Sequence, residues 1–221
     1  MIGTLATLIA IATTPAQTTH LSLPFQGIWG VIQGFDSGAT HVGYAAFALD
    51  FVPAQPKTTP APKPGAPLTA FACYGRPVLA PADGTVVRAN GAARDWPAYR
   101  KGSDPGNYVI IEHAPGEYTE FRHLAADSVA LAPGARVRRG DVIGRCGNSG
   151  NAGMPHLHIG FLSSTDPITT RPMRFSDYER AGADEAWHPG TGFPIKNELL
   201  RPRAPNGSGR PAPTPAGPHP R

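Results

Sequence analysis

Glycine and proline, 26 of each in 221 residues, punctuate this chain too often for long helices. No long window repeats apolar residues at helical spacing, so helix is expected to be minor. Between the breaks lie short runs rich in Val, Ile, Phe and Tyr, the pattern of strands joined by turns. An all-β domain with irregular ends is the expectation.

The clearest strand is Asn107 to His113, NYVIIEH. A turn at APGEY should return the chain through TEFRHL, which carries His123. Phe25–Gln33, Gly140–Arg145 and Arg174–Tyr178 also read as strands. Gly75–Arg88 reads as two strands broken at Pro81–Gly84, and Trp187–Pro194 as an irregular closure. In Tyr44–Val52, taken as a strand, Phe47, Leu49 and Phe51 share one face and Ala46, Ala48, Asp50 and Val52 the other. The small residues leave room around Asp50, which either enters a site or opens a turn before Pro53. Residues 53–70 hold six prolines and read as an extended loop insertion. Residues 90–106 offer Trp96 and Tyr99 either to a ligand or to the core edge.

The net charge is +4, but residues 201–221 contain four Arg and no acid. Subtracting these four charges leaves residues 1–200 near neutral, so no nucleic-acid surface is expected. That Pro/Arg-rich tail cannot bury enough apolar area to order itself. Leu5–Ala12 resembles the apolar core of a signal peptide, with a cleavage site near Ala16 and an N-terminal segment of residues 1–20. No Lys or Arg precedes Lys57, so the alternative is an apolar first strand. No other segment reaches the length of a membrane span. Cys73 and Cys146 form either one disulfide or two small buried side chains.

Gly147 to Gly160 reads GNSGNAGMPHLHIG. On a strand, His156 and His158 point one way while Leu157 points into a core. A lone HxH is weak evidence for a metal site, so other residues must join it: His41, Asp50 and His123 are the candidates. His20 and His219 lie in terminal segments. His113 reads as a hydrogen-bonding residue at a strand end, and His188 is uninformative.

His41 with YAAFALDF, GRPVLAPADGTVV, NYVIIEH, FRHL, GARVRRGDVIGRCGNSGNAG and PHLH together resemble the LytM/lysostaphin-type zinc metallopeptidases, family M23. The resemblance covers Trp29 to Phe161 and implies an antiparallel barrel-sandwich hybrid in a domain of residues 21–200. It implies one Zn²⁺ held by His41, Asp50 and His158, with His123 and His156 as the catalytic pair in interchangeable roles. Three protein ligands leave one tetrahedral position open, as in catalytic zinc sites. One departure is the eight residues between His41 and Asp50, where the family's commonest motif is HxxxD; Gln33 and Asp36 stand near as substitutes. The implied protein is a secreted or periplasmic, monomeric endopeptidase acting on peptidoglycan stem peptides and cross-bridges. Its groove is expected between loops 34–40, 53–70, 91–106 and 147–155. The alternatives are a non-catalytic wall-binding or regulatory module on the same fold, and a broader extracellular protease directed at Gly-rich proteins.

Overall fold

The computed structural model describes residues 16–38 and 40–204. The apolar stretch at Leu5–Ala12 and the tail beyond residue 204 lie outside these residues. The described chain is all-β, with two single 3₁₀ turns at Gly43–Ala45 and Leu68–Ala70. The strands are β1 (Trp29–Gln33), β2 (Leu49–Pro53), β3 (Pro77–Leu79), β4 (Gly84–Asn90), β5 (Asn107–Ala114), β6 (Glu117–Leu124) and β7 (Arg136–Val137). They continue as β8 (Val142–Arg145), β9 (Leu157–Thr165), β10 (Ile168–Thr170), β11 (Tyr178–Ala181), β12 (Trp187–Pro189) and β13 (Leu199–Pro202). One antiparallel sheet runs β12-β11-β13-β1-β2-β9-β6-β5-β4-β7, with β10 on β9; β3 and β8 form a separate ribbon.

Alternation sorts the central strands into two faces. Leu49 and Phe51 of β2, Phe121 of β6, and Leu157, Ile159 and Phe161 of β9 enter one core with Trp29, Phe25 and Tyr178. Each such side chain contributes roughly 1.5–3 kcal/mol by its burial. Asp50, Arg122 and His158 therefore leave the sheet on the opposite face, where a functional row is assembled.

Several strands differ from the reading of the sequence. Only Leu49–Pro53 of the segment from Tyr44 onward pairs in the sheet. Gly43 takes φ 57° and starts a 3₁₀ turn, and the Phe47 N–H donates to Thr170 Oγ1 at 3.1 Å rather than to a ladder. Phe47 packs edge-on to Phe35 outside the strand. Gly27 at φ 82° delays β1 to Trp29. Asp177 at φ 57° delays β11 to Tyr178. Trp187–Pro189 is a true strand, on β11. β13 pairs with β1 and β11 and runs to Pro202, two residues past the expected boundary.

Cys73 and Cys146 are disulfide-bonded with their Cα atoms 5.7 Å apart. The bond ties the end of the Pro-rich segment to the residue before Gly147. Closing a loop of 73 residues is worth about 4 kcal/mol in the chain-entropy account. Among the described residues, no helix is long and apolar enough to cross a membrane.

Candidate active site

Asp50 is the centre of the site. β2 and β9 place it directly opposite His158, and the His158 Nδ1–H donates to Asp50 Oδ1 at 2.8 Å. The same oxygen lies 3.2 Å from His41 Nε2 and 3.6 Å from His156 Nε2. His41, Asp50 and His158 are all buried and bring their ligand atoms within 4.8 Å of one another; His123, His156 and His158 do the same. His41 thus reaches in from the loop before β2, whereas Asp36 joins neither group and the Gln33 amide nitrogen is engaged elsewhere. Gln33 instead braces that loop, donating to Ser37 O and Thr40 Oγ1.

Backbone carbonyls fix the ring orientations. His41 Nδ1 donates to Gly34 O at 2.9 Å, His123 Nδ1 to Ser149 O at 2.9 Å, and His156 Nδ1 to Met154 O at 2.7 Å. Each ring therefore turns a lone pair on Nε2 toward the site. His156 precedes β9 rather than lying on it, yet its ring centroid is 4.9 Å from that of His123. His123, one residue before the end of β6, takes φ 61°, which turns its ring out of the strand's alternation.

This arrangement fits a metal ion. His41 Nε2 is buried without a hydrogen-bond partner, although a carboxylate oxygen stands 3.2 Å away. A lone pair and a carboxylate so close repel each other unless a cation joins them. Two imidazoles and one carboxylate suit zinc, with a position left open. The electrostatics agree. Burial would lift the Asp50 carboxyl, but the imidazoles of His156, His158 and His41 outweigh it and hold its pKa well below the usual range. Burial would lower His41, but Asp50 raises it overall. Burial, with His156 and His158 alongside, pushes His123 well down and keeps it neutral.

The cluster opens into a groove of about 1090 Å³. Thr40, residues 101–105 and residues 151–154 contribute walls as expected, but no residue of the 53–70 loop lines it. Residues 165–168 form a wall the sequence did not suggest, and Arg88 and Arg122 rise from the sheet itself. Trp96 and Tyr99 do not line it; Trp96 lies under Arg94, and the Tyr99 hydroxyl donates to Pro62 O. The glycines of the 147–150 turn serve close packing rather than open space. A Cβ on Gly147 would fall 2.3 Å from the Ala125 backbone, and one on Gly150 2.7 Å from Gly106 N. Asn148 N and Nδ2 donate to Asp95 Oδ1 and Trp96 O, which fastens the turn. His113 caps its strand as read, through Asp83 O and Thr119 Oγ1. His188 is exposed and pairs with Asp184.

An all-β domain with a buried His/Asp cluster at the floor of an open groove is an arrangement that could hold a metal ion within reach of a ligand. Residues 66–170 match the model for Peptidase family M23, a stretch that carries His123, His156 and His158. His41 and Asp50 precede the match and are joined to it by the fold. The DD-carboxypeptidase/endopeptidase Mpg of Neisseria meningitidis serogroup B is 38% identical over 112 residues, covering 51% of this chain and 23% of that protein. The peptidoglycan DD-endopeptidase ShyA of Vibrio cholerae is 34% identical over 94 residues, covering 42% and 19%. The chain thus spans less than a quarter of the length of either relative. The M23 metalloprotease pseudoalterin shares the fold, with a TM-score of 0.50 at 18% identity over 79% of this chain and 92% of its own.

Proposed function

We propose that this protein is a zinc-dependent endopeptidase that hydrolyses peptide cross-links of bacterial peptidoglycan outside the cytoplasm. The observation that carries the reading is the convergence of His41, Asp50, His158, His123 and His156 on the floor of one groove. The name of the relative ShyA, a peptidoglycan DD-endopeptidase, supports that substrate class. His41, Asp50 and His158 would hold the ion. A bound zinc supplies Lewis acidity and a water acidic enough to ionise near neutral pH.

The chain's own residues do the rest. The carbonyls of Ser149 and Met154 hold the Nδ1 protons of His123 and His156, so both Nε2 atoms are free for the substrate. One takes the nucleophile's proton at Nε2 and passes it to the leaving amine. The other can donate to the carbonyl oxygen as charge builds on it only once it too carries a proton at Nε2, as an imidazolium. The two roles are interchangeable in this geometry. The disulfide supports action in the periplasm or outside the cell, since such bonds persist in oxidising compartments. The enzyme is taken to act as a monomer.

The test is metal analysis of the purified protein, with digestion of isolated sacculi and identification of the cut bond. One zinc per chain and release of cross-linked fragments are expected. Absence of bound zinc together with intact sacculi would overturn the reading, and cleavage of elastin-like substrates alone would replace it with the broader protease.

A further inference from the structure

β6 brings more than a histidine to the groove. Arg122 stands opposite His158 in the β6–β9 register and opposite Tyr108 in the β5–β6 register. Directly opposed side chains share a face with Cβ atoms about 4.5–5.5 Å apart, so Arg122 is the lateral neighbour of a candidate metal ligand. Glu120, two residues earlier on the same face, lies beneath it. Its side chain is 2% exposed, and its Oε1 is 2.6 Å from Arg122 Nη2. The guanidinium carbon lies 5.7 Å from the centre of the Tyr108 ring. The guanidinium is held from below and from the side, and the 19% of the Arg122 side chain left exposed borders the groove. Arg88 of β4 borders the same groove, is exposed, and has no ion-pair partner among the described residues.

A carboxylate buried as deeply as Glu120 costs several kcal/mol unless it is paired. Here it fixes a planar fork of donors beside the metal site. Such a fork matches a carboxylate in two-point geometry, which a lysine or a backbone amide does not. Together with Arg88 it leaves one positive charge on the strands of the groove floor, while Lys101, Asp104 and Asp166 line the surrounding loops.

Resting on the peptidoglycan reading above, we propose that Arg122, held by Glu120 and assisted by Arg88, forms a subsite for a free carboxylate next to the scissile amide. Arg122 and His158 are immediate neighbours, and one residue of extended chain spans only about 3.3–3.6 Å. The anion must therefore sit within about a residue of the bond being cut. A cross-link through the amino group of a diamino diacid has a carboxylate on the carbon bearing the scissile nitrogen. A glycine-only bridge has none. The subsite selects the first class of cross-link over the second.

The experiment uses the zinc-loaded enzyme and a soluble cross-linked muropeptide dimer in two forms, with that carboxylate free or converted to the carboxamide. The free acid is expected to give kcat/KM higher by about 10–100-fold, the range of one charge-assisted hydrogen bond. That ratio should collapse toward one in the double variant Glu120→Gln/Arg122→Gln, which leaves no buried carboxylate unpaired, and fall partway in Arg88→Gln. Zinc content and unfolding midpoint report that each variant is folded. Equal rates on both dimers with wild-type enzyme, or a ratio that survives in the folded double variant, would overturn the proposal. Cleavage of neither dimer would overturn the peptidoglycan reading beneath it, and the subsite with it.

Discussion

Two buried carboxylates, Asp50 and Glu117, are treated oppositely by this fold. Glu117, at the start of β6, is fully satisfied. It accepts from the Thr18 N–H at 2.6 Å, the Thr19 N–H at 2.7 Å and the Thr19 hydroxyl, and pairs with Arg171 at 2.9 Å. Despite burial, these partners take its pKa down to about 2. Asp50 is ringed by imidazoles, and His41 Nε2 beside it is left without a hydrogen bond. One carboxylate completes a structure, and the other leaves it incomplete. Burial and a depressed pKa are common to both, so neither property marks a catalytic group. What separates them is whether the surrounding polar atoms are already paired.

The contrast can be broken by substitution. Asp50→Asn should lower cleavage by about 10²–10³-fold or more, through loss of several kcal/mol of metal-dependent stabilisation. It should abolish zinc retention while leaving the metal-free protein as stable as wild type; a zinc titration and a denaturant curve measure both. Glu117→Gln should do the reverse, keeping zinc but costing about 3 kcal/mol or more in the denaturant midpoint, as when one partner of a buried pair is removed. Chelation should lower wild-type stability by about 2.7 kcal/mol relative to free zinc at a hundred times its dissociation constant, and should not move Asp50→Asn. Acid distinguishes the pair further. The Glu117 pKa is lower folded than unfolded, so its stabilisation is complete above about pH 4.3, the unfolded value, and is lost as pH falls through about 2. Arg171 and His113 are the charged or titratable groups near it. Unfolding midpoints across that window should be flatter in Glu117→Gln than in wild type.

The central strands and the Asp50 face were legible because they follow from local alternation; the site histidines took their roles only from the family resemblance, since His156 lies outside β9 and His123 departs from alternation. The partners of Glu117 were not, since Thr18 is 99 residues away. Nor was the 3₁₀ turn at Gly43–Ala45, where the next free N–H, that of Phe47, finds a hydroxyl 123 residues downstream. Tyr44–Val52 alternates well enough for a strand; a distant side chain decided otherwise. Arg122 was overlooked for a related reason. FRHL shows an arginine beside a histidine, and only cross-strand register reveals that it stands opposite His158. The carbonyls of Gly34, Ser149 and Met154, which set the three ring tautomers, have no side-chain signature at all.

His123 holds a backbone conformation, φ 61°, that glycine and asparagine adopt more readily than histidine. The fold has in that sense traded robustness for aim: an easier residue would relax the chain and remove the ring. His123→Asn should therefore raise the unfolding free energy by up to about 1 kcal/mol while sharply reducing turnover, measured by denaturant titration and dimer hydrolysis on one preparation. Selection for thermal endurance alone would drift toward such a substitution and yield a tougher, silent protein.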